Sequence, residues 1–482
     1  MKKIIFLIWV LLIFVSCGNG SVTDSETSSI PREEELDTAV KDSLPAGLNF
    51  GGQTLNLFTF AAGNSDFYAK EETGDLINDE KYRSYTKIEE RLNMKLNFIR
   101  DDSEWNENGP ITKIRASVLA GDHTYDLINT WNTKLSSLSV EGLFMNMYDV
   151  PYVNFSEPWW NKSILKELTV KEKLYVAAGD ANYNIYGNTN SVFLNKKFMR
   201  DYEIPNLYDV VFEGKWTLDY MSELIRSLYV DLNGDGVADF DDQYGIIHIT
   251  YNSSIMMMSS TNAHLIKIVD DYPRLDPDHE KLTTLVEKVY NQFYINPGTY
   301  LLDQGNTPYH TWHIDKLKNG ETLLLPTNIS NSNFLRDMDD DFGIIPFPKF
   351  DEREDQYYSY VYYIAAVLVI PVNCNKTELV GAFMEASACD AYNYLIPLYF
   401  DTVMNVKILR DEETSEMIKI IRNSAYFSFE AVFNDMLAGA GNMIYDLMIN
   451  NKSTDYASWY ARNEKSIEGA LNNLIDQFEA NG

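Results

Sequence analysis

Twelve residues, Asp231-Leu-Asn-Gly-Asp-Gly-Val-Ala-Asp-Phe-Asp-Asp242, have types and spacing that specify a chemistry. Oxygen donors stand at positions one (Asp231), three (Asn233), five (Asp235), nine (Asp239) and twelve (Asp242). Gly236 occupies position six, where a calcium loop turns sharply, and Val237 offers a backbone carbonyl at position seven. Carboxylates this close repel one another unless a hard cation, which takes about six to eight oxygens, sits among them. A structural Ca2+ clip is the expectation, and a solvated acidic turn is the alternative in so acidic a chain. Asp242 stands where a bidentate Glu is usual, which argues for weaker or differently shaped coordination. Long amphipathic helices do not flank the loop, which argues against a calcium sensor.

The chain that must hold this loop starts with Lys2, Lys3 and an apolar run from Ile4 to Val15. The run is too short to span a bilayer and has the length of a signal-peptide core, so residues 1–16 are expected to direct export. Phe14-Val-Ser-Cys17 resembles the lipobox of bacterial lipoproteins, with Phe14 where Leu is usual. By that resemblance Cys17 carries a lipid, becomes the mature N-terminus and anchors the chain outside the cytoplasmic membrane; the alternative is an ordinary secretory signal. Residues 17–47 are rich in Ser, Thr, Glu and Asp and bury too little to fold, so they read as a tether.

A net charge of -31 argues against nucleic acid and against anionic lipid as partners. With 13% aromatics and only six His, the composition suits neutral, stackable ligands. Cys374 and Cys389 allow one disulfide or two free thiols, and their spacing makes no metal or redox motif. From Thr54 the pattern alternates strand (Thr54–Phe60), helix (Tyr82–Leu92), strand (Met94–Ile99), helix (Ile111–Leu119) and strand (Tyr125–Ile128). Such alternation predicts an α/β fold with a mainly parallel sheet, and ligands then bind beyond the carboxyl ends of its strands. Trp131 stands just past such an end. The C-terminal third is helix-rich, with Glu378–Ala388, Ser415–Arg422 and Ser466–Phe478 clearest.

Ala120-Gly-Asp-His-Thr-Tyr-Asp-Leu127, Glu157-Pro-Trp-Trp-Asn161, Phe193-Leu-Asn-Lys196, Gly214-Lys-Trp-Thr-Leu-Asp219, the Asp231–Gly245 loop, Asp341-Phe-Gly-Ile-Ile-Pro-Phe-Pro-Lys349 and Tyr357–Tyr360 follow one another in a telling order. That order resembles family 1 extracellular solute-binding proteins of bacterial ABC importers, the carbohydrate type. The resemblance implies a two-lobed periplasmic-binding-protein-like fold (type II) with lobes joined by a hinge. It places residues 48–156 and 319–370 in the first lobe and 157–318 and 371–482 in the second. It further implies a monomer without catalysis that closes on a sugar, with an oligosaccharide as the expected form, and delivers it to a membrane permease. The competing expectation is a secreted carbohydrate-active enzyme, in which two of the 71 Asp and Glu residues would flank a glycosidic bond.

A sugar packs its C–H faces on aromatic rings and hydrogen-bonds its hydroxyls to planar polar groups. Trp131 is the first candidate, with Asn132 as its polar neighbour. Trp159 and Trp160 are adjacent, so one is expected to face the core. Tyr183, Tyr186 and Asn190 lie in a polar, aromatic stretch leading into a strand. Trp312 lies near His310 and His313, a pair without a third metal ligand, and Tyr358 and Tyr360 belong to a tyrosine-rich strand.

Overall fold

The computed structural model describes residues 39–60, 67–103, 108–303, 311–405 and 412–481. Contacts divide the chain into residues 1–40 and 41–482, and the architecture below is that of the second unit. The expected signal segment, Cys17 and the tether through residue 38 lie outside the described residues. Among the described residues, no helix is long and apolar enough to cross a membrane.

The strands in chain order begin with β1 (Gln53–Phe60), β2 (Met94–Asp101), β3 (Leu127–Trp131), β4 (Asn190–Asn195), β5 (Tyr244–Ile249), β6 (Ile266–Val269) and β7 (Tyr272–Leu275). They continue with β8 (Thr299–Leu302), β9 (Thr322–Asn328), β10 (Phe342–Ile345), β11 (Ser359–Tyr360), β12 (Ala366–Val369) and β13 (Ala425–Tyr426). One sheet has the order β12-β3-β1-β2 and a second the order β10-β4-β9-β5-β8. The strand and helix alternation expected after Thr54 is present, with β1, β2 and β3 parallel. Leu55, Leu57, Phe58 and Phe60 of β1 are all buried, as in a sheet covered on both faces. The helix Leu76–Leu92 lies between β1 and β2; Asp75 caps it by accepting the Asn78 amide, and Asn93 ends it in the left-handed region at φ 46°.

The two sheets form the two lobes of an α/β fold, and the chain passes between them more than once. Residue 177 bridges to Leu368 beside the first sheet, and Thr189, just ahead of β4 in the second, bridges to Val361. The returning crossing runs alongside it, for the Tyr362 amide donates to the Asn188 carbonyl (2.8 Å) and Asn182 Nδ2 to the Ala366 carbonyl (3.2 Å).

The return to the first sheet is narrower than residues 319–370. β9 and β10 both pair antiparallel with β4 in the second sheet, and only β12 rejoins the first, antiparallel to β3. Part of the stretch 371–482 likewise packs with the first sheet. On the helix Thr377–Asp390, Phe383 meets Tyr85 at 5.9 Å and Asp390 pairs with Lys87 at 3.0 Å. That helix is buried almost all round, so its own pattern carries no stripe to say which lobe it covers.

Candidate functional site

The carboxyl ends of β3 and β5 lead to one cavity of about 210 Å3. Trp131, the last residue of β3, lines it, and so does Lys134 one turn into the helix Asn132–Ser139. Tyr251 lines it from the first turn of the helix Thr250–Ser259, which begins where β5 ends. Tyr363 comes from the returning crossing, and Asn434 and Asp435 from the C-terminal region. The cavity therefore draws on both lobes and the link between them. Two larger hollows, of about 510 and 680 Å3, lie beside the helix Leu218–Ile225, and no residue of β3 or β5 lines them. Size favours those two, but the place of the smaller cavity at strand carboxyl ends makes it the candidate.

Rings fix its walls. Trp131 sits edge-on to Phe60 at 5.4 Å, and Tyr251 packs edge-on to Tyr363 at 6.2 Å and to Tyr445 at 5.3 Å. Burial pushes the Tyr251 hydroxyl up to about 12, so it stays a neutral donor and acceptor at neutral pH. Asn434 holds its Oδ1 buried without a hydrogen-bond partner, an acceptor on the cavity's own lining. Stackable rings beside planar polar groups are what a polyhydroxylated solute requires.

Of the residues expected at a site, Trp131 lies in this cavity. Asn132 does not line it: its amide donates to the Ala365 carbonyl (3.0 Å) and its Oδ1 accepts from Ser136 Oγ (2.9 Å), so it fixes the start of its helix. Trp159 and Trp160 both face the core, where only one was expected to. Trp160 Nε1 donates to Glu385 Oε2 at 3.1 Å, and Gly179 lies so close that a Cβ there would stand 2.7 Å from both the Trp159 carbonyl and the Trp160 ring. Tyr183 packs on Tyr399 at 5.2 Å. Asn190 opens β4 and is buried there. Trp312 stands on Phe240 at 5.6 Å, Tyr358 lines the 680 Å3 hollow, and Tyr360 is buried in β11. His310 lies outside the described residues. Tyr251 obeys the rule that singled out Trp131, a ring just past a strand end. Asn434 and Asp435 come from a stretch with no pattern to mark them.

Tyr186 instead joins a buried charged cluster at the first crossing. Its hydroxyl donates to Asp180 Oδ1 (2.5 Å), and Arg422 stands 3.6 Å from Asp180 Oδ2. Burial pushes the Asp180 carboxyl up to about 6, against the pull of Arg422 and of the Tyr186 hydroxyl. The folded chain then keeps a proton that the unfolded chain releases near 3.8. Stability from this group is full below that value and is lost as pH rises to about 6, by about 3 kcal/mol. Asp180→Asn is expected to flatten that decline in urea titrations between these two pH values; an unchanged slope would refute the assignment.

In the acidic loop, Asp231 accepts the Gly234 (2.7 Å) and Gly236 (2.9 Å) amides, Asn233 the Asp235 amide (2.9 Å), and Asp235 the Val237 amide (2.7 Å). Asp239 accepts the Asp241 amide (2.9 Å). Asp242 is buried, with Oδ1 taking the Leu232 amide (3.1 Å) and Oδ2 the Tyr229 hydroxyl (2.9 Å) and the Asp239 amide (3.3 Å). Burial pushes this carboxyl up, but these donors and Lys316 outweigh it and hold it below the usual carboxylate range. Position twelve thus ties the base of the loop. Among the described residues, no three His, Cys, Asp or Glu side chains are placed to hold a metal ion.

No protein-family model matches the sequence, and no curated protein matches it. Solved structures do match the fold. The galacto-N-biose-/lacto-N-biose I-binding protein of the ABC transporter from Bifidobacterium longum, in complex with lacto-N-biose, is similar over 90% of this chain and 98% of its own, at 10% identity and a TM-score of 0.54. An ABC substrate-binding protein from Listeria monocytogenes in complex with cycloalternan is similar over 89% and 98%, at 12% identity and a TM-score of 0.51. A protein from Mycobacterium tuberculosis in complex with glycerophosphocholine is similar over 88% and 100%, at 12% identity and a TM-score of 0.53. The shared architecture is the two-lobed periplasmic-binding-protein-like fold.

Proposed function

We propose that this chain is the carbohydrate-capturing component of an ABC importer, working without catalysis and handing its ligand to a membrane permease. One observation carries this reading: strand ends of both lobes meet at a cavity lined by Trp131, Tyr251 and Tyr363, with the buried acceptor of Asn434 beside them. Ligand contacts with both lobes favour the closed form, and that difference in affinity is the mechanism. The cavity is smaller than the roughly 300–1,000 Å3 of whole-ligand pockets, so it takes the end of an oligosaccharide. The test is a thermal-shift screen of residues 41–482 against mono- and oligosaccharides, with turnover followed in parallel. A sugar at about 100 times its Kd should add about 2.7 kcal/mol and emerge intact. Hydrolysis would favour the enzyme, and no shift with any sugar would sink the carbohydrate reading.

Export and anchoring complete the proposal. With Cys17 lipidated, the chain stays with the membrane fraction, and Cys17→Ala is expected to release it into the medium. Retention of that variant at the membrane would count against the anchor.

Calcium in the acidic loop is part of the same proposal, held by Asp231, Asn233, Asp235, the Val237 carbonyl and Asp239 after their carboxylates draw together. The loop precedes β5 and the cavity follows it, so about 20 Å of strand separates them. Removing calcium with EGTA should therefore lower the melting temperature and leave sugar affinity unchanged. The reverse pattern, weaker binding at an unchanged melting temperature, would refute this division.

A further inference from the structure

The hollow of about 510 Å3 lies between the helices Leu218–Ile225 and His279–Tyr290 and shares no lining residue with the cavity at the strand ends. The helix Thr250–Ser259 contributes to both, with Tyr251 and Ile255 at the first cavity and Met257 at this one. Its walls are tied at two ends. Lys288 Nζ donates to Asp219 Oδ2 at 2.5 Å, and Asn296 Nδ2 donates to the Ser222 carbonyl (2.7 Å) and Ser222 Oγ (3.0 Å). Between those ties the chain makes a π-helical turn, Asn291–Ile295, a distortion that often marks functional sites.

On that turn Gln292 lines the hollow and is only 3% exposed. Its Nε2 donates to Thr299 Oγ1 at 2.8 Å, while its Oε1 is buried with no hydrogen-bond partner. Turning the amide over moves the vacancy to the nitrogen without filling it. A hydroxyl both donates and accepts, so it satisfies the amide in either orientation. Around this polar point Met221, Met257 and Val289 supply an apolar and adaptable wall. At the opening the charges are matched in pairs, Lys288 with Asp219 and Arg226 with Glu223 at 3.4 Å, which suits a neutral ligand.

We propose that this hollow is a second binding site, for a neutral amphipathic molecule that carries one hydroxyl group on an aliphatic or aromatic body. It stands independently of the sugar site. The test uses the intact chain with 13C-labelled methionine methyls, titrated with p-cresol and with toluene, which lacks the hydroxyl. The Met221 and Met257 signals are expected to shift saturably with p-cresol at a Kd below about 1 mM, and toluene to bind at least about tenfold more weakly. Gln292→Met should erase that preference; if it does not fold, Ile295→Asp at the exposed rim should weaken both compounds. A p-cresol Kd above that limit, or equal affinity for the two compounds, overturns the proposal.

Discussion

Trp131→Ala is expected to weaken sugar binding at least about thirtyfold, because a buried aromatic anchor at the centre of a binding surface typically carries about 2 kcal/mol or more. The same change should cost the empty protein about 3–5 kcal/mol, since Trp131 is 2% exposed and its ring fills space against Phe60. Two effects from one substitution need separating. Trp131→Phe keeps an edge for Phe60 and most of the apolar volume, so it should fold close to normally yet still lose about tenfold in affinity with the indole's face. Calorimetric titration with a sugar found in the screen, at a temperature where both variants are folded, decides the matter. Affinity within twofold of the parent protein in both variants would remove Trp131, and with it this cavity, from the binding surface.

Trp131 is visible in the sequence because two local facts combine there: β3 is short and opens on the apolar pair Leu127 and Ile128, and a large ring stands at its end. The strand and helix alternation from β1 to β3 is legible for the same reason, as each element buries a face that its own periodicity marks. Pairing across the chain is another kind of fact. β4 pairs with β9 in a register that sets Val192 opposite Pro326, and nothing in either strand names the other, so residues 322–328 and 342–345 lie in the second sheet although the resemblance implies the first lobe for them. Trp160 and Tyr186 show the limit for single side chains. Both sit in aromatic, polar stretches like those of a binding cleft, yet each is drawn inward by a distant charged partner, Glu385 for one and the Asp180–Arg422 pair for the other. An aromatic residue's type says that it will bury area, not whether a ligand or the core will cover it.

The resemblance motif Ala120–Leu127 acquires a physical reason in Asp126. This carboxylate is 1% exposed, and one oxygen accepts both the Asn56 amide of β1 (2.8 Å) and Lys376 Nζ (2.8 Å). Lys376 also donates to the Thr54 carbonyl (2.8 Å), so the pair fastens the approach to β3 and the start of the helix Thr377–Asp390 onto β1. Lys376→Met is expected to cost about 3–5 kcal/mol, because it leaves a buried charge with its amide donor alone. Asp126→Leu in the parent should also destabilise, but Lys376→Met combined with Asp126→Leu should recover part of the loss, since neither charge then remains. Urea unfolding of the two single variants and the double variant closes the cycle. Strict additivity would mean that the two groups do not interact, and would leave the bond from Lys376 to the Thr54 carbonyl as the polar tie of this lysine to β1.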